Sequence, residues 1–244
     1  MRQLVLALIL AGIVWGGGLR AQFDRLKTEG RSALQAEDYA KAENCYIRLL
    51  QLSSSVHPGV YEMYAQVVSP LAEIYKKTEA TEKLEALYQN RMDHSAAGLE
   101  RGLAQADLGF FYQGSAFASA DGYRGEGLVN DAVKTFEQCA ATKTEGEQCR
   151  RRLADTAGIQ GAMFFQKLDY SRAEPLFRRV ITMPESTVQD EVMLVSLHAL
   201  RGIMMVRKQF EEAKQLELRA AAFEAAHPNA LTRLKQDGSR SRSR

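Results

Sequence analysis

Apolar residues recur at intervals of three and four positions along most of the chain, the spacing typical of amphipathic α-helices. The pattern continues from about residue 22 to about residue 227, with short polar interruptions. Five prolines in 244 residues, with few β-branched runs, also favour helix over strand. The sequence therefore predicts an all-α protein built from consecutive helices.

One spacing of aromatic and small residues occurs twice in nearly the same form. The spacing consists of an aromatic residue, an alanine three positions later, a second aromatic residue four positions after that, and an apolar residue three positions further on. It occurs as Tyr39, Ala42, Tyr46, Leu49 and as Tyr170, Ala173, Phe177, Val180. Gly30 and Gly161 each lie twelve residues before the alanine. Small residues at such positions let two helices approach closely, and an aromatic side chain fills the space beside them.

This spacing resembles the tetratricopeptide repeat, a helix-turn-helix unit that stacks into a solenoid. Leu108-Gly109 followed by Tyr112 is similar to the family's L-G-x-x-Y string. The resemblance implies a right-handed α-solenoid of about five repeats. They begin near residues 23, 65, 102, 154 and 194.

The repeats are longer than the basic unit of about 34 residues. Successive alanine-type positions lie 40 to 48 residues apart. In this respect the chain resembles the extended repeat variant of kinesin light chains, and the stretch from Gly125 to Ala141 resembles a Sel1-type repeat. The resemblance concerns the form of the repeat only.

The third repeat contains an insert. When Gly109 is aligned with the glycine of the other repeats, twenty-three residues rather than twelve separate it from Ala132. The additional residues lie between positions 113 and 131 and contain four glycines, together with Phe117 and Tyr123. Such a composition is typical of a loop.

Residues 1–21 have the pattern of an export signal. Arg2 provides a positive charge ahead of an uncharged apolar stretch, residues 16–18 are glycines that we expect to break a helix, and Ala21 is a suitable last residue before cleavage. The alternative is an uncleaved membrane anchor formed by residues 1–19. The first interpretation predicts an exported protein, periplasmic or secreted, and the second a membrane-anchored one.

The net charge and the C-terminal sequence indicate which kind of partner the protein binds. Lys and Arg number 32 against 30 Asp and Glu, and a net charge of +2 gives no general attraction to nucleic acid. The solenoid is predicted to occupy residues 22–228, and residues 229–244 form an extension that ends in a disordered Ser/Arg tail. We expect a protein or peptide partner and no nucleic acid. The oligomeric state stays open.

Motifs for catalysis and for cofactors are missing from the sequence. It contains no phosphate-binding G-x-x-x-x-G-K-[ST], no H-E-x-x-H and no G-x-S-x-G. None of the four histidines has a second histidine or a cysteine at metal-ligand spacing. The sequence therefore predicts no enzyme, no cofactor and no metal.

Two of the three cysteines are placed to meet. Cys139 and Cys149 lie symmetrically about Thr144, in the connection between two predicted helices. Symmetric positions about such a turn face each other, so a disulfide is plausible and would suit an exported protein. Alternatively, Cys139 is a small core residue where the family usually has alanine. Cys45 would remain a free thiol.

The resemblance also implies where a partner binds. In the family, the first helices of the repeats line a concave groove. The residues of this chain at the groove positions include Lys27, Arg31, Glu73, Lys76, Phe110, Gln113, Asp155 and Phe165. The carboxylate clamp of some family members is not supported, because Arg31 stands where they have asparagine.

We expect a charged end of this groove to meet a more apolar stretch, which suits an amphipathic or extended segment of a partner protein. The alternative binding site is the insert, residues 114–130. Two functional hypotheses follow. One is an exported scaffold, with a role in cell-envelope assembly, and the other is an N-terminally anchored regulatory module that docks a partner protein. Cleavage after Ala21 distinguishes them.

Overall fold

The structure, a computed structural model, describes the backbone of residues 2–56, 61–114, 120–230 and 232–233. Side chains are described for residues 18, 20–52, 66–114, 122–230 and 232–233. Within these ranges the chain is helical and has no strand. The α-helices are α1 (Arg2–Gln35), α2 (Tyr39–Val56), α3 (Tyr61–Lys77), α4 (Thr81–His94), α5 (Leu99–Gly114), α6 (Ala120–Ala140), α7 (Gly146–Gln166), α8 (Tyr170–Thr182), α9 (Asp190–Val206) and α10 (Phe210–Ala226).

The helices form two compact units, Met1–Ala96 and Ala97–Arg244. In the first unit, α1 packs against α2, α2 against α3 and α3 against α4. In the second, each helix from α5 to α10 packs against the next one, and α7 also contacts α5 and α9. Packing in chain order is the arrangement expected of helix-turn-helix repeats. The predicted all-α solenoid class is confirmed.

Among the described connections, the same turn joins the helices of the first, second, fourth and fifth repeats. A residue with a left-handed backbone follows the first helix, with φ of 57°, 54°, 60° and 59° at Glu37, Glu79, Leu168 and Lys208. In the fourth repeat, the Leu168 N–H donates to the Phe165 carbonyl at 3.0 Å and the Asp169 N–H donates to the Phe164 carbonyl at 2.9 Å. These bonds satisfy carbonyls at the helix end, which is how a Schellman-type turn stops a helix.

Small residues let the paired helices approach at the predicted places. A Cβ added to Gly30 would lie 3.1 Å from the ring of Tyr46, and one added to Gly161 would lie 2.9 Å from the ring of Phe177. Both rings are buried. Each glycine therefore makes room for the aromatic side chain of its partner helix.

The register of the third repeat differs from the sequence interpretation. Gly102, rather than Gly109, packs against Phe136, the aromatic residue that follows Ala132. Gly109 instead lies opposite Gly125, whose carbonyl oxygen would be 2.8 Å from a Cβ added to Gly109. The two glycines allow α5 and the first half of α6 to pack closely as one long helical hairpin.

The insert is largely helical, so its prediction as a loop is wrong. Helix α6 begins at Ala120 and covers most of it. Residues 115–119, including Phe117, lie outside the described residues. The prediction rested on the low helix propensity of glycine, about 1 kcal/mol per residue. Packing of α5 against α6 at Gly125 offsets this cost.

Helix α1 runs without interruption through residues 16–18, so the expected helix break is also wrong. Glycine weakens a helix but, unlike proline, it keeps its backbone hydrogen bond. The side chains of the predicted leader up to residue 17, and the predicted tail from residue 234, lie outside the described residues. In the part of the chain that is described, none of the helices has the length and apolar character needed to cross a membrane.

Candidate functional site

The charged residues predicted for the groove lie on α1 and α3 of the first unit. Lys27 and Arg31 are one turn apart on α1, and Glu73 and Lys76 lie on α3. The Nζ of Lys27 donates a hydrogen bond of 2.8 Å to Oε1 of Gln66, also on α3. This bond shows that the two helices share a surface. These five residues are called the charged face below.

The pKa of the Tyr46 phenol, a residue of α2, responds to charged residues on both helices of the charged face. Burial is the main cause that raises its pKa, Arg31 opposes the shift, and Glu73 adds to it. Arg31 on α1 and Glu73 on α3 are therefore both within electrostatic reach of one phenol, and both side chains are exposed. The charged face thus presents positive and negative groups together.

The apolar residues predicted for the groove lie in the second unit and are only partly exposed. Phe110 on α5 and Phe165 on α7 are both half-buried. The ring of Phe165 lies 5.5 Å from that of Tyr170 and 6.3 Å from that of Phe177, measured between centroids. Much of Phe165 therefore stabilises the packing of α7 against α8, and only part of its surface is available to a partner.

Two further apolar residues, which were not predicted from the sequence, lie on the first helices of the second unit. Ile159 is 48% exposed and follows Asp155 by four residues, so it lies on the same side of α7. Met205 is 46% exposed at the end of α9. Helical spacing alone could have identified Ile159. Phe110, Ile159, Phe165 and Met205 are called the apolar face below.

Two polar residues predicted for the groove are largely enclosed. Gln113 is half-buried, and its Nε2 has no hydrogen-bond partner among the described residues. Oδ2 of Asp155 accepts a hydrogen bond of 3.2 Å from Gln189 and lies 3.6 Å from Nη1 of Arg152. Burial is the main cause that raises the pKa of Asp155. Asp155 therefore joins α7 to the segment before α9.

Three further apolar residues, which were not predicted from the sequence, are exposed at or beside turns of the second unit. Leu168 is 70%, Val206 61% and Phe210 58% exposed. Leu168 also occupies the left-handed turn position, which costs a branched apolar residue about 1 kcal/mol. The sequence alone could have identified Leu168 as unusual, because the equivalent turn positions of the other repeats hold the charged residues Glu37, Glu79 and Lys208.

An open cavity of about 350 Å³ lies between α1 and α2. Its walls include Ala21, Arg25, Glu29 and Arg48. Nε of Arg25 lies 2.8 Å from Oε1 of Glu29, so part of the charge in the cavity is already paired. Cleavage after Ala21 would remove one of its walls.

The insert, the alternative binding site, presents one large exposed side chain in its described part. Tyr123 on α6 is 77% exposed. The neighbouring Arg124 lies over the ring of Tyr112, 4.8 Å from its centroid, and Glu126 pairs with Arg172 of α8. The residues around Tyr123 are therefore anchored to the helices beneath them.

Cys139 and Cys149 are joined as a disulfide that connects the end of α6 to the start of α7. Their Cα atoms are 5.8 Å apart, and both side chains are buried. Cys45 is a buried free thiol in the first unit. Cys139 is thus both a small core residue and a disulfide partner, so the two interpretations of the sequence are compatible.

No protein-family model and no curated protein matches the sequence. Among solved structures, the chain is similar to BtubC (BKLC) from P. vanneervenii, with 18% identity, a TM-score of 0.65 and coverage of 85% of this chain and 82% of that one. It is also similar to two crystal structures of a Podosopora anserina putative kinesin light chain with nearly identical TPR-like repeats. The first is 19% identical, and the match covers 85% of this chain and 95% of that one. The second, a point variant of the same protein, is 18% identical, and the match covers 86% of this chain and 96% of that one.

The TM-scores of the two kinesin light chain structures, 0.44 and 0.43, are too low to support a structural inference. The similarity to BtubC shows a shared fold and nothing about function. Together with five consecutive helix pairs and their recurring turn, it defines a repeat fold of the tetratricopeptide type. The resemblance predicted from the sequence is confirmed at the level of fold.

Proposed function

We propose that this chain is a non-catalytic scaffold that binds a protein or peptide partner on surfaces formed by the first helices of its repeats. The hydrogen bond between Lys27 and Gln66 carries the proposal, because it makes α1 and α3 present one polar surface. In the second unit, α7 contacts both α5 and α9, so the first helices there also lie side by side. Surfaces assembled from successive helices suit extended or amphipathic segments.

The composition of the two faces indicates the kind of partner. The charged face carries Lys27, Arg31 and Lys76 beside Glu73, a mixture that suits a segment with charges of both signs. The residues of the apolar face include the exposed side chain of Ile159 and the half-buried rings of Phe110 and Phe165. Binding of nucleic acid would require a surface that carries positive charges only.

The test is a binding assay with one matched pair of variants on α1. The partner is first isolated by affinity capture with the full chain and is then titrated against purified variants. Arg31→Glu should slow association and alter its salt dependence. Arg25→Glu is the control, since it makes the same change on the same helix outside the charged face. Equal binding by the two variants would contradict the role of the charged face.

A second pair of variants separates the apolar face from the insert. Ile159→Asp should speed dissociation if the apolar face contacts the partner, whereas Tyr123→Ala should do so if the insert does. Point variants are preferable to deletion of the insert, because Gly125 packs against Gly109 and deletion would disrupt the third repeat. Loss of binding in Tyr123→Ala alone would place the site on the insert.

We further propose that the protein is exported and that its scaffold role belongs to assembly of the cell envelope, since residues 1–21 have the pattern of a cleaved signal. N-terminal sequencing of the mature protein should then begin at Gln22. The alternative is a membrane-anchored regulatory module, favoured by the continuity of α1, because a retained leader would run directly into the first repeat. An intact Met1 in the membrane fraction would support that alternative and contradict export.

A further inference from the structure

Two sulfur atoms and a carboxylate meet where α6 ends and α7 begins. Cys139 lies in the last turn of α6, Glu145 directly precedes α7, and Cys149 lies in its first turn. Their donor atoms all lie within 4.8 Å of one another. Across the described residues, this is the one place where three side chains of the types that ligate metals converge so closely.

One distance among these atoms already fits a tetrahedral metal site. Sγ of Cys139 lies 3.5 Å from Oε2 of Glu145. Bonds of about 2.3 Å from zinc to sulfur and about 2.0 Å from zinc to oxygen place two tetrahedral ligands about 3.5 Å apart. A sulfur in a disulfide has no proton to donate, so this contact is not a hydrogen bond in the oxidised protein.

The Glu145 carboxylate is held in place by the start of α5. The backbone N–H of Leu99 donates to its Oε2 at 3.2 Å. Gly98 has a φ of 88°, and a Cβ there would lie 2.8 Å from the same oxygen. Only glycine therefore leaves room for the carboxylate at this position. A hydrogen-bonded and oriented carboxylate is typical of metal ligands.

Glu145 does not form a side-chain cap on its own helix, α7. A simpler role would be to cap α5 through Leu99, because a carboxylate at a helix N-terminus is favourable. That role accounts for the oxygen bonded to Leu99. It does not account for two sulfurs beside the same carboxylate, and the two roles predict different results on reduction.

We propose that, when the disulfide is reduced, Cys139, Cys149 and Glu145 bind one divalent ion of the zinc class, with water in the fourth position. A dithiol reductant transfers two electrons and two protons to the disulfide and itself becomes a disulfide. The metal then displaces both thiol protons and forms two metal–sulfur bonds and one metal–oxygen bond. The sulfurs must separate to about 3.8 Å, which requires rotation of the two side chains.

This ligand set selects among metals. Two thiolates favour zinc and similar ions over magnesium or calcium, which prefer oxygen ligands. Two thiolates and a carboxylate carry three negative charges, so a divalent ion neutralises most of the charge in a partly buried place. The disulfide and the metal exclude each other, because both use the same sulfur atoms.

The experiment uses the full chain and Co²⁺ as a spectroscopic probe for zinc. The protein is reduced with a phosphine, desalted without oxygen and titrated with Co²⁺. One Co²⁺ per chain should bind, with a thiolate-to-cobalt charge-transfer band and the visible bands of tetrahedral cobalt, and Zn²⁺ should abolish both. The oxidised protein should show neither. Reduced protein without these bands would overturn the proposal.

Two variants test the ligand assignment. Glu145→Gln keeps an acceptor for the Leu99 N–H but removes the anionic ligand, and it should weaken Co²⁺ binding roughly 10-fold or more. Cys45→Ser, which removes the third thiol, should leave binding unchanged. Unchanged affinity in Glu145→Gln would show that the carboxylate only caps α5. If that variant fails to fold, comparison of reduced with oxidised wild type still decides whether the cysteines bind metal.

Discussion

Arg201 and Glu217 form an ion pair, with 3.2 Å between Nη2 of Arg201 and Oε1 of Glu217. At the equivalent positions, the fourth repeat packs a glycine against an aromatic ring. Arg201 follows Gly161 by forty residues, and Glu217 follows Phe177 by forty. The side chains of the pair are 39% and 60% exposed. The fifth repeat therefore has a polar contact where the fourth repeat has an apolar one.

This ion pair should contribute little to stability. A double-mutant cycle with Arg201→Met and Glu217→Gln should give a coupling energy of about 0.2–1 kcal/mol, since both side chains are partly exposed. Urea unfolding of the four proteins measures it. The coupling should decrease at high salt, because mobile ions screen exposed charges. A coupling that high salt leaves unchanged would contradict this description of the contact.

Gly161→Leu should lower the free energy of unfolding by about 1–3 kcal/mol, because the new side chain overpacks the contact with Phe177. Gly127→Leu on α6 is the matched control. No atom lies within 4 Å of a Cβ added at Gly127, so replacing this helical glycine should raise stability by about 0.5–1 kcal/mol. Chemical denaturation compares the two variants. Wild-type stability in Gly161→Leu would show that the register of the fourth repeat is wrong.

Asp155 should make stability depend on pH. Burial raises its pKa, so the folded state binds this proton more readily than the unfolded state. The contribution of Asp155 is therefore fully present below its unfolded pKa and is lost as the pH rises through its folded pKa. Asp155→Asn should raise the free energy of unfolding near neutral pH by up to about 1 kcal/mol.

The measurement for Asp155 is chemical denaturation at acidic and at neutral pH. Asp155→Asn and wild type should differ less in acid, where Asp155 is protonated in both states. Asp131→Asn, at an exposed aspartate on α6, is the control and should show no comparable gain. A gain of equal size at both pH values would show that the effect does not come from ionisation of Asp155.

Leu168→Gly should raise the free energy of unfolding by about 0.5–1 kcal/mol, because glycine adopts the left-handed turn conformation without the steric cost that leucine has. Leu168→Ala keeps a Cβ and should not show this gain. Thermal unfolding distinguishes the two variants. Equal stability of the glycine and alanine variants would show that the backbone at Leu168 is not strained.

Cys139 and Cys149 should be linked in protein isolated from an oxidising compartment. A disulfide that closes so short a loop should contribute about 2–3 kcal/mol. Non-reducing peptide mapping should find both cysteines in one linked pair of peptides and Cys45 as a free thiol. Recovery of Cys139 and Cys149 as free thiols from such protein would rule out the bond.

The sequence by itself determined the pairing of the helices, but not the first half of α6. The spacing of Tyr39, Ala42 and Tyr46, repeated at Tyr170, is a local property, because residues three and four apart share one face of a helix. It was sufficient to predict five helix pairs. It also assigned Lys27 and Arg31 to one face of α1, where the structure has them.

The register of the third repeat depended on tertiary packing. Gly102 and Gly109 are seven residues apart and therefore lie on the same side of α5, so either could have matched the repeat pattern. Only the position of Phe136 across from Gly102 decides between them. The same packing, at Gly125, keeps the insert helical despite the low helix propensity of its glycines.

Which side chains are exposed, and which distant side chains lie close together, could be learned only from the tertiary structure. Spacing places Ile159 and Phe165 on one helix, but only the packing of Tyr170 and Phe177 covers Phe165 and leaves Ile159 accessible. Glu145 gave no signal in the sequence, because its significance depends on Leu99, forty-six residues away in the chain. Local spacing specifies which residues share a helix face, whereas contacts between distant segments decide what each face meets.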